Sequence, residues 1–281
     1  MTRSNPIGVF DSGVGGLTVL KALHRALPQE DFIYLGDTAR LPYGTKGAET
    51  VTQYALQAAR MLEDYDIKML VVACNTATAL ALPSLQKQLP HLPCLGVIEP
   101  SAAKAAAVSQ TGRIAVLSTE GTARSGAYAQ AIKRHRADAD IQSLGCNLLV
   151  ALAEEGWCEG AEAEAVIGRY LRQLGDDFDT LILGCTHFPM LTNTIRQLIR
   201  PDIQIIDSAT TTAEAVKASM TTKAPTPLAG GKASMATTRF LATDLPERFA
   251  LMARRFLEVD TVPDVQLVHL MPSTDAKENA A

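Results

Sequence analysis

Apolar residues along the chain form short continuous runs that alternate with longer segments of helical spacing. The runs predict strands at 6–10, 32–36, 68–73, 94–98, 113–117, 179–184 and 203–206, with a further pair near 139–144 and 235–241. Apolar residues three and four positions apart predict amphipathic helices at 17–27, 48–65, 122–135, 161–174 and 246–257. Strands that alternate with helices are typical of parallel sheets covered by crossover helices, so the pattern predicts an α/β fold.

Two predicted strands continue into similar sequences, MLVVACNTAT at 69–78 and TLILGCTHFP at 180–189. Each has an apolar strand, a small residue, a cysteine and a polar segment that can open a helix. We interpret this weak internal repeat as two similar three-layer lobes with mostly parallel sheets and an active site in the cleft between them. The first lobe is predicted to comprise 1–98 plus 208–281, and the second 99–207.

The composition is that of a compact globular protein. The 281 residues are 47% hydrophobic and 20% charged, which leaves room for one large or two ordinary domains and excludes a disordered polymer. A formal net charge of −4, without a long basic run, argues against a nucleic-acid partner. The segment 220–233 and the last ten residues are predicted to be a loop and a frayed tail without catalytic residues.

The sequence predicts a cytoplasmic protein with free thiols. The N-terminal segment lacks the apolar core of a secretory signal, and no stretch approaches the roughly 18 apolar residues needed to span a bilayer. Five cysteines are an odd number and none are two residues apart, so neither a disulfide framework nor a zinc site is predicted. The five histidines are dispersed, so no metal is expected. We interpret Cys94, Cys146 and Cys158 as packing residues.

A glycine-rich segment at 11–16 (DSGVGG) follows the first predicted strand and precedes a helix. It does not fit the dinucleotide fingerprint, because Thr18 stands where the last glycine would be, and the chain contains no phosphate-binding loop motif. Backbone amides at a helix N-terminus, with Asp11 and Ser12 beside them, can hold a small polar ligand. The same side chains can equally cap a tight turn. A second polar segment, 36–44, by itself predicts only a loop.

Cys74 and Cys185 each follow a predicted buried strand. Ligands of open α/β sheets bind at that edge, and the helix expected after Cys74 should lower the pKa of its thiol from about 8.5. One such cysteine is more often a small core residue, but two on equivalent strand ends favour a function. On opposite walls of a cleft, one thiol can remove a proton from a carbon while the other returns a proton to its opposite face. That chemistry is racemisation or epimerisation.

Six sequence motifs occur in order along the chain: GVFDSGVGGLTVL, YLGDTARLPYGTKG, VVACNTATA, GVIEPS, LSTEGTARSGAY and LILGCTHFPML. Together they resemble the cofactor-independent glutamate racemases of bacterial wall synthesis, within the aspartate/glutamate racemase superfamily. The resemblance is close over residues 6–210. It implies an isomerase that interconverts L-glutamate and D-glutamate and supplies D-glutamate for peptidoglycan synthesis and cell shape. It also implies that the enzyme needs no cofactor and forms a homodimer.

Position by position, the resemblance makes Cys74 the base for D-glutamate and Cys185 the base for L-glutamate. Each thiol donates a proton when the other abstracts one. Asp11, Glu154 and His187 match polar residues that set the protonation of the thiols, with Asp11 near Cys74 and His187 near Cys185. The positions that would hold the carboxylates and amine of the substrate are Asp11, Ser12, Pro42, Tyr43, Gly44, Cys74, Asn75, Thr76, Thr122, Cys185, Thr186 and His187.

Two positions leave the correspondence open around Glu154. Glu155 follows it directly, so either carboxylate could line the site. Asn147 stands where the family usually has proline after Cys146.

The carbanion formed at the α-carbon needs stabilisation, because no cofactor is expected to absorb its charge. Backbone amides at helix N-termini after Ser12, Cys74 and Cys185 are the expected donors.

Three other functions are compatible with parts of the pattern. An aspartate racemase, or another racemase of the superfamily, would use the same two thiols on a different acid. A non-catalytic amino-acid-binding module would place glycine turns around a small zwitterion but would not need Cys74 or Cys185. A thiol hydrolase with Cys185 as nucleophile and His187 as base would leave Cys74 unexplained.

Overall fold

The computed structural model describes residues 5–221, 237–261 and 264–271. The predicted tail and all but the first two residues of the predicted loop at 220–233 lie outside these ranges. The described strands are β1 (Ile7–Asp11), β2 (Phe32–Gly36), β3 (Met69–Val72), β4 (Cys94–Gly96), β5 (Arg113–Ser118), β6 (Asp140–Gly145), β7 (Thr180–Gly184), β8 (Gln204–Asp207), β9 (Thr238–Ala242) and β10 (Val265–Leu267).

Helices fill the connections between these strands. They are α1 (Leu17–Ala26), α2 (Ala48–Glu63), α3 (Asn75–Gln88), α4 (Ile98–Val108), α5 (Glu120–Ser125), α6 (Ala127–His135), α7 (Asn147–Glu155), α8 (Ala161–Leu174), α9 (Thr192–Leu198), α10 (Ser208–Thr221) and α11 (Pro246–Leu257). In the described ranges, three short 3-10 helices lie at Thr38–Arg40, Tyr43–Thr45 and Phe188–Leu191. Among the described residues, no helix combines the length and the apolar character needed to cross a membrane.

The strands form two parallel sheets. The first has the order β10-β9-β2-β1-β3-β4 and the second the order β6-β5-β7-β8. The central strands are apolar on both faces, so each sheet needs a helical layer on either side. In the first sheet α1, α10 and α11 cover one face and α2 and α3 the other. In the second, α7, α8 and α9 cover one face and α4 and α6 the other. The predicted α/β fold with two three-layer lobes is confirmed.

The chain crosses between the sheets twice, through α4 after β4 and through α10 after β8. We refer to the layers around the first sheet as the first lobe and to those around the second sheet as the second lobe. The residue boundaries predicted for the lobes at 98/99 and 207/208 stay predictions.

One predicted helix is wrong. The segment at 122–135 is divided between α5 and α6, because Gly126 between them has a φ of +66° and ends α5 in the left-handed conformation. The strand β10 has no counterpart among the predicted strands. It has only three residues, so its apolar run is too short to be recognised.

Candidate active site

The carboxyl ends of the two sheets meet at a cavity of about 240 Å³. Both Cys74 and Cys185 line it, and each thiol-bearing residue is only 5% exposed. The predicted substrate-binding and acid–base residues that lie on its wall are Ser12, Pro42, Tyr43, Gly44, Cys74, Asn75, Thr76, Glu154, Cys185, Thr186 and His187.

Asp11 and Thr122 lie just behind the wall rather than on it. Asp11 ends β1, is 1% exposed, and accepts a hydrogen bond from the Gly13 amide at 2.9 Å. Thr122 is 1% exposed, and its hydroxyl lies 3.3 Å from that of Thr76 and 3.0 Å from that of Thr119. The three threonines form a buried hydroxyl cluster across the lobe boundary, so Thr122 supports Thr76 from the other lobe.

On one wall of the cavity, the inner face of α7, the sequence predicted only Glu154. Asn147, Val150, Ala151 and Glu154 all line it, and their spacing of three, four and seven positions places them on one side of a helix. Glu155 is exposed, so Glu154 is the glutamate that faces the cavity. Counting back from Glu154 by three, four and seven positions in the sequence identifies the other three residues of this helix face. The other wall residues that were not predicted are Gly13, Leu41, Thr45 and Thr119.

A helix N-terminus was expected directly after each of Ser12, Cys74 and Cys185, but the structure has one only after Cys74. The helix α3 begins directly after Cys74, whose sulfur accepts a hydrogen bond from the Ala77 amide at 3.4 Å. After Cys185 the 3-10 helix Phe188–Leu191 forms instead, and α9 begins only at Thr192. After Ser12, glycines delay the start of α1 to Leu17.

The predicted lowering of the Cys74 pKa is wrong. Burial, followed by the nearby charge of Asp11, raises the pKa of Cys74 to about 12. The Ala77 amide and the Ser12 hydroxyl, whose oxygen lies 3.6 Å from the sulfur, oppose this rise without reversing it. Desolvation of the thiolate therefore outweighs the dipole of α3. At neutral pH Cys74 is a thiol, and a thiol can donate a proton.

Cys185 has a different polar neighbour, the imidazole of His187. The sulfur lies 3.8 Å from Nδ1, and Nε2 of the same ring lies 3.0 Å from Oε1 of Glu154. Burial alone would lower the pKa of His187, but its contacts with Cys185 and Glu154 raise it to about 10. His187 lowers the pKa of Glu154 in return, against the effect of burial on that carboxyl. The imidazole of His187 thus lies between a carboxylate and the sulfur of Cys185, in its positive form at neutral pH.

The segment at 41–45 is fixed from behind by Asp37, which is fully buried. Its carboxylate accepts hydrogen bonds from the Tyr43 hydroxyl at 2.5 Å and from Arg40 Nε at 2.8 Å. Gly44 in this segment touches the second lobe, since a Cβ there would lie 2.8 Å from Thr119 Cβ. The peptide groups of 42–44 are thereby held on the cavity wall.

No lysine or arginine is among the described residues that line the cavity. Carboxylates of a ligand would therefore meet backbone amides and hydroxyls, such as those of Ser12, Thr76 and Thr186. In the part of the chain that the structure describes, no three His, Cys, Asp or Glu side chains are grouped as metal ligands. The expectation of a reaction without a cofactor stays a prediction.

Comparison with known proteins identifies the chain's relatives. The model of the Asp/Glu/hydantoin racemase family matches residues 7–216. A glutamate racemase of Geobacter metallireducens is 49% identical over 257 residues, which are 89% of this chain and 92% of the relative. The chain belongs to the glutamate racemases of this family. Racemases are isomerases, so the predicted enzyme class is confirmed.

Solved racemase structures share the architecture of both lobes. Glutamate racemase isoform RacE1 from Bacillus anthracis superimposes with a TM-score of 0.89 at 36% identity, covering 96% of this chain and 99% of that one. The racemase of Francisella tularensis in complex with D-glutamate has a TM-score of 0.87 at 34% identity, with the same coverage. The similarity spans the β-strands and helices that build the cavity.

Proposed function

We propose that this racemase interconverts L-glutamate and D-glutamate by moving protons between the substrate and two thiols, Cys74 and Cys185. The observation that carries the proposal is the placement of two buried thiols on one cavity, each at the end of a strand from a different sheet. The two sulfurs are close enough for a charge on Cys185 to raise the pKa of Cys74. A small stereocentre between them would be reached from opposite faces.

In the direction from L-glutamate, Cys185 acts as the base. Its thiolate, beside the imidazolium of His187, takes the α-proton, and the C–H electron pair remains on the substrate as a carbanion. The Cys74 thiol then donates its proton to the opposite face, which yields D-glutamate and a thiolate at Cys74. In the reverse direction Cys74 abstracts and Cys185 donates, so every proton is accounted for.

The carbanion is stabilised through its α-carboxylate. Backbone amides in the first turn of α3 and the hydroxyls of Thr76 and Thr186 are the donors on the wall that can bind this group. In a closed cavity such fixed donors act strongly, because little water competes with them. The distal carboxylate would bind the peptide groups of 42–44, and the ammonium would bind Asn75. The side-chain oxygen of Asn75 is buried and has no hydrogen-bond partner among the described residues.

We also propose the wider setting that the family resemblance implies. The protein would be a homodimer in the cytoplasm, with D-glutamate supplied to peptidoglycan synthesis. The lobes would divide at 1–98 plus 208–281 and 99–207. Sedimentation of the purified protein tests the dimer, and a single species with the mass of one chain would contradict it.

The function is tested by circular dichroism of L-glutamate incubated with the purified protein, without any added cofactor. We expect the signal to decay to zero as a racemic mixture forms. In D₂O the first D-glutamate formed should carry deuterium at the α-carbon, because a second thiol supplies the new hydrogen. Retention of the original hydrogen would exclude the two-thiol mechanism.

Turnover of aspartate instead of glutamate would assign the enzyme to the aspartate racemases. Binding of glutamate without turnover would indicate a binding module. An acylated Cys185 would support the thiol hydrolase.

A further inference from the structure

A single buried tyrosine contacts the neighbours of both catalytic thiols. Tyr128 is 2% exposed and lies at the start of α6 in the second lobe. Its hydroxyl accepts a hydrogen bond from Asn75 Nδ2 at 2.8 Å, and Asn75 directly follows Cys74. Its ring lies against Gly184, where a Cβ would come within 2.8 Å of Tyr128 Cε2, and Gly184 directly precedes Cys185. Tyr128 does not line the cavity, so its effect on a ligand must be indirect.

The hydrogen bond between Asn75 and Tyr128 has a defined direction. Asn75 Nδ2 donates to the Tyr128 hydroxyl at 2.8 Å, so the amide nitrogen faces the tyrosine. If the Asn75 amide were reversed, its oxygen would face Tyr128 and its nitrogen would take the place of Oδ1.

This direction decides which end of Asn75 is available to a ligand. Asn75 Nδ2 is committed to Tyr128, whereas Asn75 Oδ1 is buried without a partner among the described residues. A buried carbonyl oxygen without a donor is costly, and an ammonium group of the substrate would satisfy it.

We infer that Tyr128 is a positioning residue, which holds the Asn75 side chain with its oxygen available to the substrate's ammonium group. The inference rests on the proposed function, because it takes the ligand to be an amino acid.

The test compares Tyr128→Phe with the unchanged protein in calorimetric titrations against glutamate and glutarate. Glutarate has both carboxylates but no ammonium group. The variant keeps the ring on Gly184 and loses only the hydroxyl, so Asn75 is free to reverse. We expect glutamate affinity to fall by about tenfold to a hundredfold, as for the loss of one charge-assisted hydrogen bond. Glutarate affinity should change by less than about twofold.

Asn75→Ala provides a second route to the same outcome, in case the tyrosine variant folds poorly. It removes the amide oxygen itself. We expect the same selective loss for glutamate, and no further loss in the double variant. The matched control is Thr211→Val, because it also removes a buried hydroxyl, but one whose hydrogen-bond partners include Ser101 and the Asp207 carbonyl. It should bind both ligands normally.

Equal losses for glutamate and glutarate, or no loss for either, would overturn the positioning role. Failure of the unchanged protein to bind glutamate would instead overturn the proposed function.

Discussion

Cys74 and Cys185 occupy equivalent strand ends but differ in the groups that surround them. Cys74 has a carboxyl, Asp11, and a hydroxyl, Ser12, as its polar neighbours, and burial raises its pKa to about 12. Cys185 has the imidazole of His187, whose pKa is raised to about 10 by contact with that cysteine and Glu154. Similar backbones thus place the two thiols beside different proton donors and acceptors. The comparison teaches that the fold duplicates the position of a thiol, whereas the side chains around each thiol differ in charge and hydrogen bonding.

The difference has a kinetic consequence for the proposed reaction. The L-to-D direction begins with a thiol at Cys74, which is the form that burial favours. The D-to-L direction begins with a thiolate at Cys74, which burial disfavours. The equilibrium constant between enantiomers is one, so kcat/KM must be equal in both directions at every pH. The difference between the two directions must therefore appear as different kcat values that are matched by proportionally different KM values.

The strongest test of the comparison exchanges each sulfur for oxygen. Cys74→Ser and Cys185→Ser should each lower racemisation by about a thousandfold or more, since each removes one of two essential acid–base groups. In D₂O, Cys74→Ser should still exchange the α-hydrogen of L-glutamate, and Cys185→Ser that of D-glutamate, by nuclear magnetic resonance. Exchange of the same enantiomer by both variants would show that the thiols do not face opposite sides.

The next test removes the positive charge beside Cys185. His187→Asn should reduce kcat by about a hundredfold, because the thiolate loses its imidazolium partner. The primary isotope effect of α-deuterated L-glutamate should grow more than that of the D enantiomer. His135→Asn is a suitable control, since His135 also pairs with a carboxylate, Glu99, but on the surface. Equal losses in the two variants would refute a specific role for His187.

A smaller effect is expected at the carboxylate behind the imidazole. Glu154→Gln keeps the hydrogen-bonding shape but removes the charge, so it should lower the pKa of His187 and reduce kcat by about tenfold at neutral pH. The decline in rate with rising pH should also begin at a lower pH. Glu155→Gln is the matched control, because Glu155 is its exposed neighbour on α7. If both variants behave alike in steady-state assays, Glu154 does not act through His187.

The smallest effect concerns stability at alkaline pH. The pKa of Cys74 rises from an ordinary 9.0 to about 12 on folding. A raised pKa in the folded state contributes stability in full below 9.0, and this contribution is lost as the pH rises through about 12. Urea unfolding of Cys74→Ser should therefore depend less on pH above 9.0 than unfolding of the parent protein. A parallel decline in the two proteins would contradict the burial of this thiol.

The sequence was sufficient to predict the strands other than β10 and the position of the two thiols, because both follow from short-range patterns. Apolar runs mark strands that are buried on both faces, and the cysteines come directly after two of them. The wall formed by Asn147, Val150 and Ala151 was not predictable in the same way. Its helical spacing is visible in the sequence, but only the packing of the two lobes shows which face of α7 meets the cavity.

The electrostatics of the site also needed the structure. The short-range signal at Cys74, a helix that follows it, predicts a lowered pKa, whereas burial of the thiol in the folded protein raises it. The same limitation applies to Tyr128, which is 53 positions from Asn75 along the chain. Its role depends on contacts between lobes, and local spacing contains no information about them.

The strand order of the first sheet has a consequence for synthesis on the ribosome. Inside that sheet β2 lies between β1 and β9, and the register joins Phe32 to Thr238. The ribosome makes β9 about two hundred residues after β2, so β2 is left as an open edge during most of translation. The four strands of the second sheet are consecutive and can assemble as soon as they emerge. The nascent chain is therefore expected to complete the Cys185 side before the Cys74 side, with a chaperone-sensitive interval between the two.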